Sequence, residues 1–172
     1  MTDKEFLNNL ANGKSDILQK LIDIITRENI GYCVIGGLGV NAYVEPVVSL
    51  DLDIVVAASE LEKLKKAAIN EFEVKEFTHS INLYNPDSDL RIQIQTDDKY
   101  QDFIARAEER EILGYRMKVA SIKDILGGKI WAYSDEQRRM SKRQKDLADI
   151  FRIIESFPEL EPLLTDDIRQ KM

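Results

Sequence analysis

The chain holds one cysteine, Cys33, in the apolar run YCVIGG. No internal disulfide can form, and a free cysteine in such a run reads as a small buried hydrophobe. Histidine is just as scarce: His79 stands alone between Thr78 and Ser80. A lone histidine is more often structural than a ligand or base, and no His/Cys cluster has zinc spacing. No Ser/His/Asp constellation stands out either. No apolar run is long enough to span a bilayer. The first residues, MTDKEFLNNLANGKSD, lack the basic-then-apolar order of a signal peptide, so a cytoplasmic location without a membrane partner is the expectation. Excess positive charge is missing too, the net charge being −7. That argues against a broad non-specific nucleic-acid surface but leaves room for a local basic groove. The densest basic stretch, Arg138–Lys145 (RRMSKRQK), reads as the solvated start of a helix.

What is present is an ordinary globular composition: 172 residues, 44% hydrophobic and 32% charged, without repeats or low-complexity linkers. Apolar spacing predicts helices over 3–12 and 14–28, the second capped by Ser15. A short buried strand follows at 32–35, a helix begun at the glycine turn at 37–43, a second strand at 50–57 and an amphipathic helix at 59–71. Residues 72–78, 80–84 and 90–95 alternate like half-buried strands, with a turn at Asn85-Pro86-Asp87-Ser88. A helical turn at 100–107, a hairpin of 111–113 with 115–119 around Gly114, helices at 121–134 and 142–156, and a short tail complete the chain. The plan is α+β: a mixed β-sheet with flanking helices and a helical C-terminal part. It divides as N-terminal helices (1–29), an α/β core (30–119) and C-terminal helices (120–172), packed as one unit.

The stretch VIGGLGVNAYVEPVVSLDLDIVVA, Val34–Ala57, carries the chemistry. Strand alternation puts Asp51 and Asp53 on one face and Leu52 and Ile54 on the other. Two carboxylates held together repel, and burying them unpaired is costly. A divalent cation removes the conflict, and Mg²⁺ suits a pair of oxygen ligands shared with substrate phosphates. Gly36-Gly37 supplies the complement, because a glycine turn into a helix exposes N–H groups that bind phosphate. Each signal is weak alone; on consecutive strands they reinforce each other.

Two later residues are odd. Lys129 falls on the apolar stripe Ile122, Ile125, Leu126, Ile130 and Tyr133, beside Gly127 and Gly128, whose missing side chains permit close approach of another backbone. Asp146 borders the stripe Leu147, Ile150, Phe151 and Ile154, with Asp149 nearer its edge. Two readings stand on pattern alone. Lys129 snorkels its stem along the core while Asp146 serves the helix dipole, or both belong to a site.

The pattern Ile35-Gly36-Gly37 followed by Asp51-Leu52-Asp53-Ile54 resembles the nucleotidyltransferase superfamily, the fold of DNA polymerase beta and its small relatives. The flanking text GGLGVNAYVEP…LDLDIVV, together with Lys129-Ile130-Trp131-Ala132 and Lys145-Asp146-Leu147-Ala148-Asp149, is similar to its minimal and AbiEii-like branches, which include toxins of toxin–antitoxin pairs. The resemblance implies Gly36, Gly37 and Lys129 on the triphosphate, Asp51 and Asp53 on Mg²⁺ with Mn²⁺ as an alternative ion, and Asp146 as an orienting or basic residue. It implies transfer of a nucleoside monophosphate from an NTP to a hydroxyl on a tRNA end, a protein side chain or a small molecule, and a cognate antitoxin as partner. One departure is plain. Many relatives carry a third carboxylate on a later central strand, and the matching segment, Leu90-Arg91-Ile92-Gln93, places Gln93 there. A glutamine offers a carbonyl oxygen but cannot act as a base. A catalytically degenerate nucleotide-binding protein of the same fold is therefore the alternative.

Overall fold

Thr2 starts the first helix, α1 (Asp3–Leu10), with a capping box. Its hydroxyl accepts the Glu5 N–H, and the Glu5 carboxylate accepts the Thr2 N–H at 2.7 Å. The computed structural model describes all 172 residues. Helix α2 (Ile17–Arg27) buries Ile17, Leu18, Leu21, Ile24 and Ile25, the spacing read from sequence. Its cap is Asp16 rather than Ser15. The Asp16 carboxylate accepts the Gln19 N–H at 3.0 Å and also the Tyr115 hydroxyl at 2.9 Å, so one residue caps the helix and ties it to a distant strand.

The chain continues through β1 (Tyr32–Ile35), α3 (Gly36–Asn41), β2 (Asp51–Val56) and α4 (Leu61–Ala68), then β3 (Glu73–Glu76), β4 (Ser80–Tyr84) and β5 (Arg91–Gln95). A 3₁₀ stretch, Asp98–Arg106, leads into β6 (Glu108–Ile112) and β7 (Tyr115–Val119). Helices α5 (Ile122–Ser134), α6 (Met140–Ser156) and the short α7 (Asp166–Arg169) end it. Leu113 and Gly114 both have positive φ, the turn a two-residue hairpin requires. The helix expected over 59–71 is shorter: Ala58–Glu60 is a 3₁₀ turn, and Ile69, within the expected range, follows the last helical residue and is exposed. Strand β6 begins three residues earlier than expected, because an edge strand of charged residues shows no apolar alternation.

All seven strands form one mixed sheet, ordered β3-β4-β5-β2-β1-β7-β6. Strand β2 sits centrally, antiparallel to β1 and parallel to β5. Alternation then sorts the central strands. Leu52, Ile54, Ile81, Leu83, Ile92 and Ile94 are buried on one face. Asp51, Asp53, Asn82, Tyr84, Arg91, Gln93 and Gln95 point the other way and line a cleft. Helices α3, α5 and α6 contact one another and α5 and α6 wall that cleft, while α2 and α4 pack together elsewhere. One hydrophobic cluster runs from Leu7 to Ile168 and includes Cys33, whose thiol is pushed up to about 12 by burial and is inert at neutral pH. No helix is long and apolar enough to cross a membrane.

Candidate functional site

The floor of the cleft is set by strand register. Ile35, the last residue of β1, pairs with Asp53. Gly36 must therefore turn the chain directly beside that carboxylate. It does so at φ +68°, and a Cβ built on it would overlap Asp53 Oδ2. Only glycine satisfies both demands. Across the other side of β2, Asp53 pairs with Gln93 and Gln93 with Asn82. The residue aligned with the third carboxylate from sequence is thus the direct neighbour of Asp53, and it is an amide.

The wall is a buried ion network. Lys129 Nζ lies 2.9 Å from Asp146 Oδ1 and 2.7 Å from Asp149 Oδ2. Arg138 Nε reaches Asp146 Oδ2 at 2.7 Å, and an Arg152 guanidinium nitrogen reaches Asp149 Oδ1 at 2.7 Å. Lys129, Asp146 and Asp149 are almost wholly buried, and each charge has opposite charge on it, as burial demands. Arg152 also donates to Asn41 Oδ1 and to the Glu45 carbonyl. Asn41 in turn exchanges hydrogen bonds with both backbone groups of Val47. This clamp fastens the loop between the glycine turn and the aspartate strand to α6.

Gly36, Gly37, Asp51, Asp53, Lys129 and Asp146, all singled out from sequence, line this one cleft of about 510 Å³. Sequence reasoning missed Arg138, Lys142, Arg152 and Asn41. The stretch 138–145 is the solvated helix start expected, yet it also sends Arg138 to Asp146 and Lys142 to Asp51 at 3.3 Å, with Lys145 on the lining. Arg91, two residues before Gln93 on the same face, binds Asp51 Oδ1 at 2.6 Å. The backbone approach expected at Gly127 and Gly128 is absent: Gly127 faces open space, and Gly128 meets the Tyr100 and Phe103 rings. The close helix-to-helix approach falls instead at Gly39 of α3, against the Ile125 side chain of α5. Trp131 is a cleft residue, 40% exposed, stacked on Phe103 at 5.8 Å with Lys99 5.3 Å above its ring, while Tyr133 is core. His79 sits on the lining.

Burial raises the Asp53 carboxyl above the usual carboxylate range; Lys129 opposes this and the Asp51 charge adds to it. Burial also works against the charge on Lys129, yet Asp149 and Asp146 outweigh it and raise its affinity for the proton. Lys129 is thus a fixed cation, and both Asp146 oxygens are engaged. No three His, Cys, Asp or Glu side chains converge to cage a metal. Asp51 and Asp53 are hard oxygen donors from one strand face, and Asp53 sits in a desolvated setting that favours a neighbouring cation. That donor set fits Mg²⁺ shared with substrate phosphates, the ion's usual mode.

The family described as "Nucleotidyl transferase AbiEii toxin, Type IV TA system" matches residues 35–172. The chain belongs to the AbiEii nucleotidyltransferase family. The match contains every cleft residue named above. Solved structures share the fold. The antibiotic-resistance factor ANT(2″)-Ia, in complex with adenylyl-2″-tobramycin, superimposes with a TM-score of 0.65 at 17% identity, covering 90% of this chain and 96% of that one. The lincosamide antibiotic adenylyltransferase LnuA, lincomycin-bound, gives 0.55 at 14% identity over 82% and 98% of the two chains. An antigenic nucleotidyltransferase-like protein from Paracoccidioides brasiliensis gives 0.52 at 21% identity over 90% and 78%. No curated protein matches in sequence.

Proposed function

We propose that this AbiEii-family protein transfers a nucleoside monophosphate from an NTP to a hydroxyl acceptor, with a divalent cation held by Asp51 and Asp53. One observation carries the reading: the Gly36 turn is built directly against Asp53, so a phosphate-binding turn and a metal-binding acid share one floor. The cation, Mg²⁺ or Mn²⁺, supplies neutralisation of the charge that builds on the phosphates during transfer. The chain's own residues do the rest. The Gly36-Gly37 backbone binds the triphosphate, and Lys129 lends its positive field to the phosphates from the wall. Asp146 acts as an orienting residue rather than a base, because Lys129 and Arg138 occupy its oxygens. The acceptor oxygen forms the new bond to the α-phosphorus, the bond to the bridging oxygen breaks, and pyrophosphate leaves with the electron pair. The hydroxyl proton passes to water in the open cleft, since Gln93 cannot take it. The family description supports a toxin role restrained by an antitoxin.

A second reading is favoured by Gln93, the amide next to Asp53: a protein that binds NTP and metal but does not turn over. Labelled NTPs are incubated with Mg²⁺ and pools of RNA, protein and small-molecule acceptors. Pyrophosphate release with label transfer that disappears in Asp51→Ala/Asp53→Ala supports the enzyme. Metal-dependent NTP binding with neither product supports the second reading.

A further inference from the structure

Asp51, like Asp146, carries a cation on each oxygen, but its side chain is 24% exposed against 3% for Asp146. Arg91 Nε sits 2.6 Å from Oδ1 and Lys142 Nζ 3.3 Å from Oδ2, so each oxygen has its own cation, one from β5 and one from α6. Those cations are exposed, at 63% for the Arg91 side chain and 39% for Lys142. Exposed pairs are weak and readily exchanged. In the wall Arg138 is as open as Lys142, at 38%, but the acids it and Lys129 serve are not: Lys129, Asp146 and Asp149 have side chains 10% exposed or less. Arg91 and Lys142 have no other acidic partner. A divalent cation on Asp51 and Asp53 would cancel the charge that holds them and leave two long cationic side chains facing the cleft. Polyanionic phosphates are the chemistry that satisfies such a pair, Arg by its fork and Lys as a mobile point charge.

We propose that Arg91 and Lys142 are exchangeable clamps: they neutralise Asp51 in the free protein and move to the triphosphate when the metal–nucleotide complex enters. This assignment rests on the nucleotidyltransferase reading above and gives the mobile phosphate contacts to these two residues, Lys129 being fixed. It makes metal and nucleotide binding cooperative. Metal alone must displace two cations and gains nothing for them, whereas metal with nucleotide gives both a new partner.

The test measures Mn²⁺ binding alone by electron paramagnetic resonance, and binding of each of the four ribonucleoside triphosphates with Mg²⁺ by calorimetry. The proteins are the wild type, Arg91→Gln, Lys142→Gln and the double variant. The substitutions remove surface charge and keep the stems, and the single variants report if the double one is unstable. The double variant is expected to bind Mn²⁺ alone about fivefold more tightly and the Mg²⁺–nucleotide about tenfold more weakly, each single variant moving the same way. Unchanged or weaker Mn²⁺ binding, or undiminished nucleotide binding, overturns the exchange while the wild-type nucleotide site stands. A wild type that binds no nucleotide with any cation overturns both.

Discussion

Replacing Gly36 by alanine puts two costs on one atom. The position has φ +68°, where an alanine Cβ meets the following carbonyl, at about 1–2 kcal/mol. The same Cβ overlaps Asp53 Oδ2, so the carboxylate must leave its rotamer or the turn must shift, which adds about 1 kcal/mol more. A chain of this length loses about 2–4 °C of Tm per kcal/mol, so Gly36→Ala is expected to melt roughly 4–12 °C lower. Gly37→Ala is the internal control. Its Cβ would find Ser49 Oγ at 3.8 Å and Asp149 Oδ2 at 3.9 Å, ordinary contacts, and its Tm is expected to stay within about 2 °C. Adding Asp53→Ala removes the overlap with the carboxylate but leaves the backbone strain and a 3.1 Å approach to the Cβ of residue 53. Gly36→Ala/Asp53→Ala is therefore expected to be more stable than the two single changes sum to, by about 1 kcal/mol of coupling. Calorimetric melting without metal reads the wild type and all four variants. Gly36→Ala melting with the wild type, or strict additivity with Asp53→Ala, would refute the claim that the turn is built against the carboxylate.

Asp53 in the metal-free protein has a raised proton affinity, so its ionised form costs the folded state above its folded pKa and the cost fades as pH falls. Asp53→Asn is expected to be more stable than the wild type at pH 7.5, with the gap closing as pH falls towards the ordinary carboxylate range in melting curves. Lys129→Met strips the shared cation from Asp146 and Asp149 and is expected to cost about 3–5 kcal/mol, read as a fall in urea midpoint, far beyond any surface lysine. Gln93→Glu places a third acid beside Asp53, which should lower the metal-free Tm and tighten Mn²⁺ binding about tenfold.

Much of this molecule is written locally. The alternation of DLDIVV and RIQIQ fixed both strands and the face that carries Asp51, Asp53 and Gln93, because period-two patterning is a property of neighbours in the chain. The glycine turn was legible for the same reason. What the sequence concealed depends on distant partners. Ser15 and Asp16 are both good caps, and Asp16 prevails while also receiving the Tyr115 hydroxyl. Lys129 was recognisable as a charge on an apolar stripe, but Asp149 looked like an edge residue until Arg152, three residues on and bonded to Asn41, drew it inward. The run RRMSKRQK looked solvated because nothing in it says that Lys142 meets Asp51, 91 positions earlier. A charge run states its sign and density, and the tertiary fold decides which members are paired.

The central claim is that Asp51 and Asp53 create a cation-dependent nucleotide site at the glycine turn. Calorimetric titration of NTPs into the wild type and Asp51→Asn/Asp53→Asn, with Mg²⁺ and with chelator, tests it most directly. The account predicts saturable one-to-one binding that needs both Mg²⁺ and the two carboxylates. Equal binding by the amide variant, binding indifferent to chelator, or none by the wild type would contradict it.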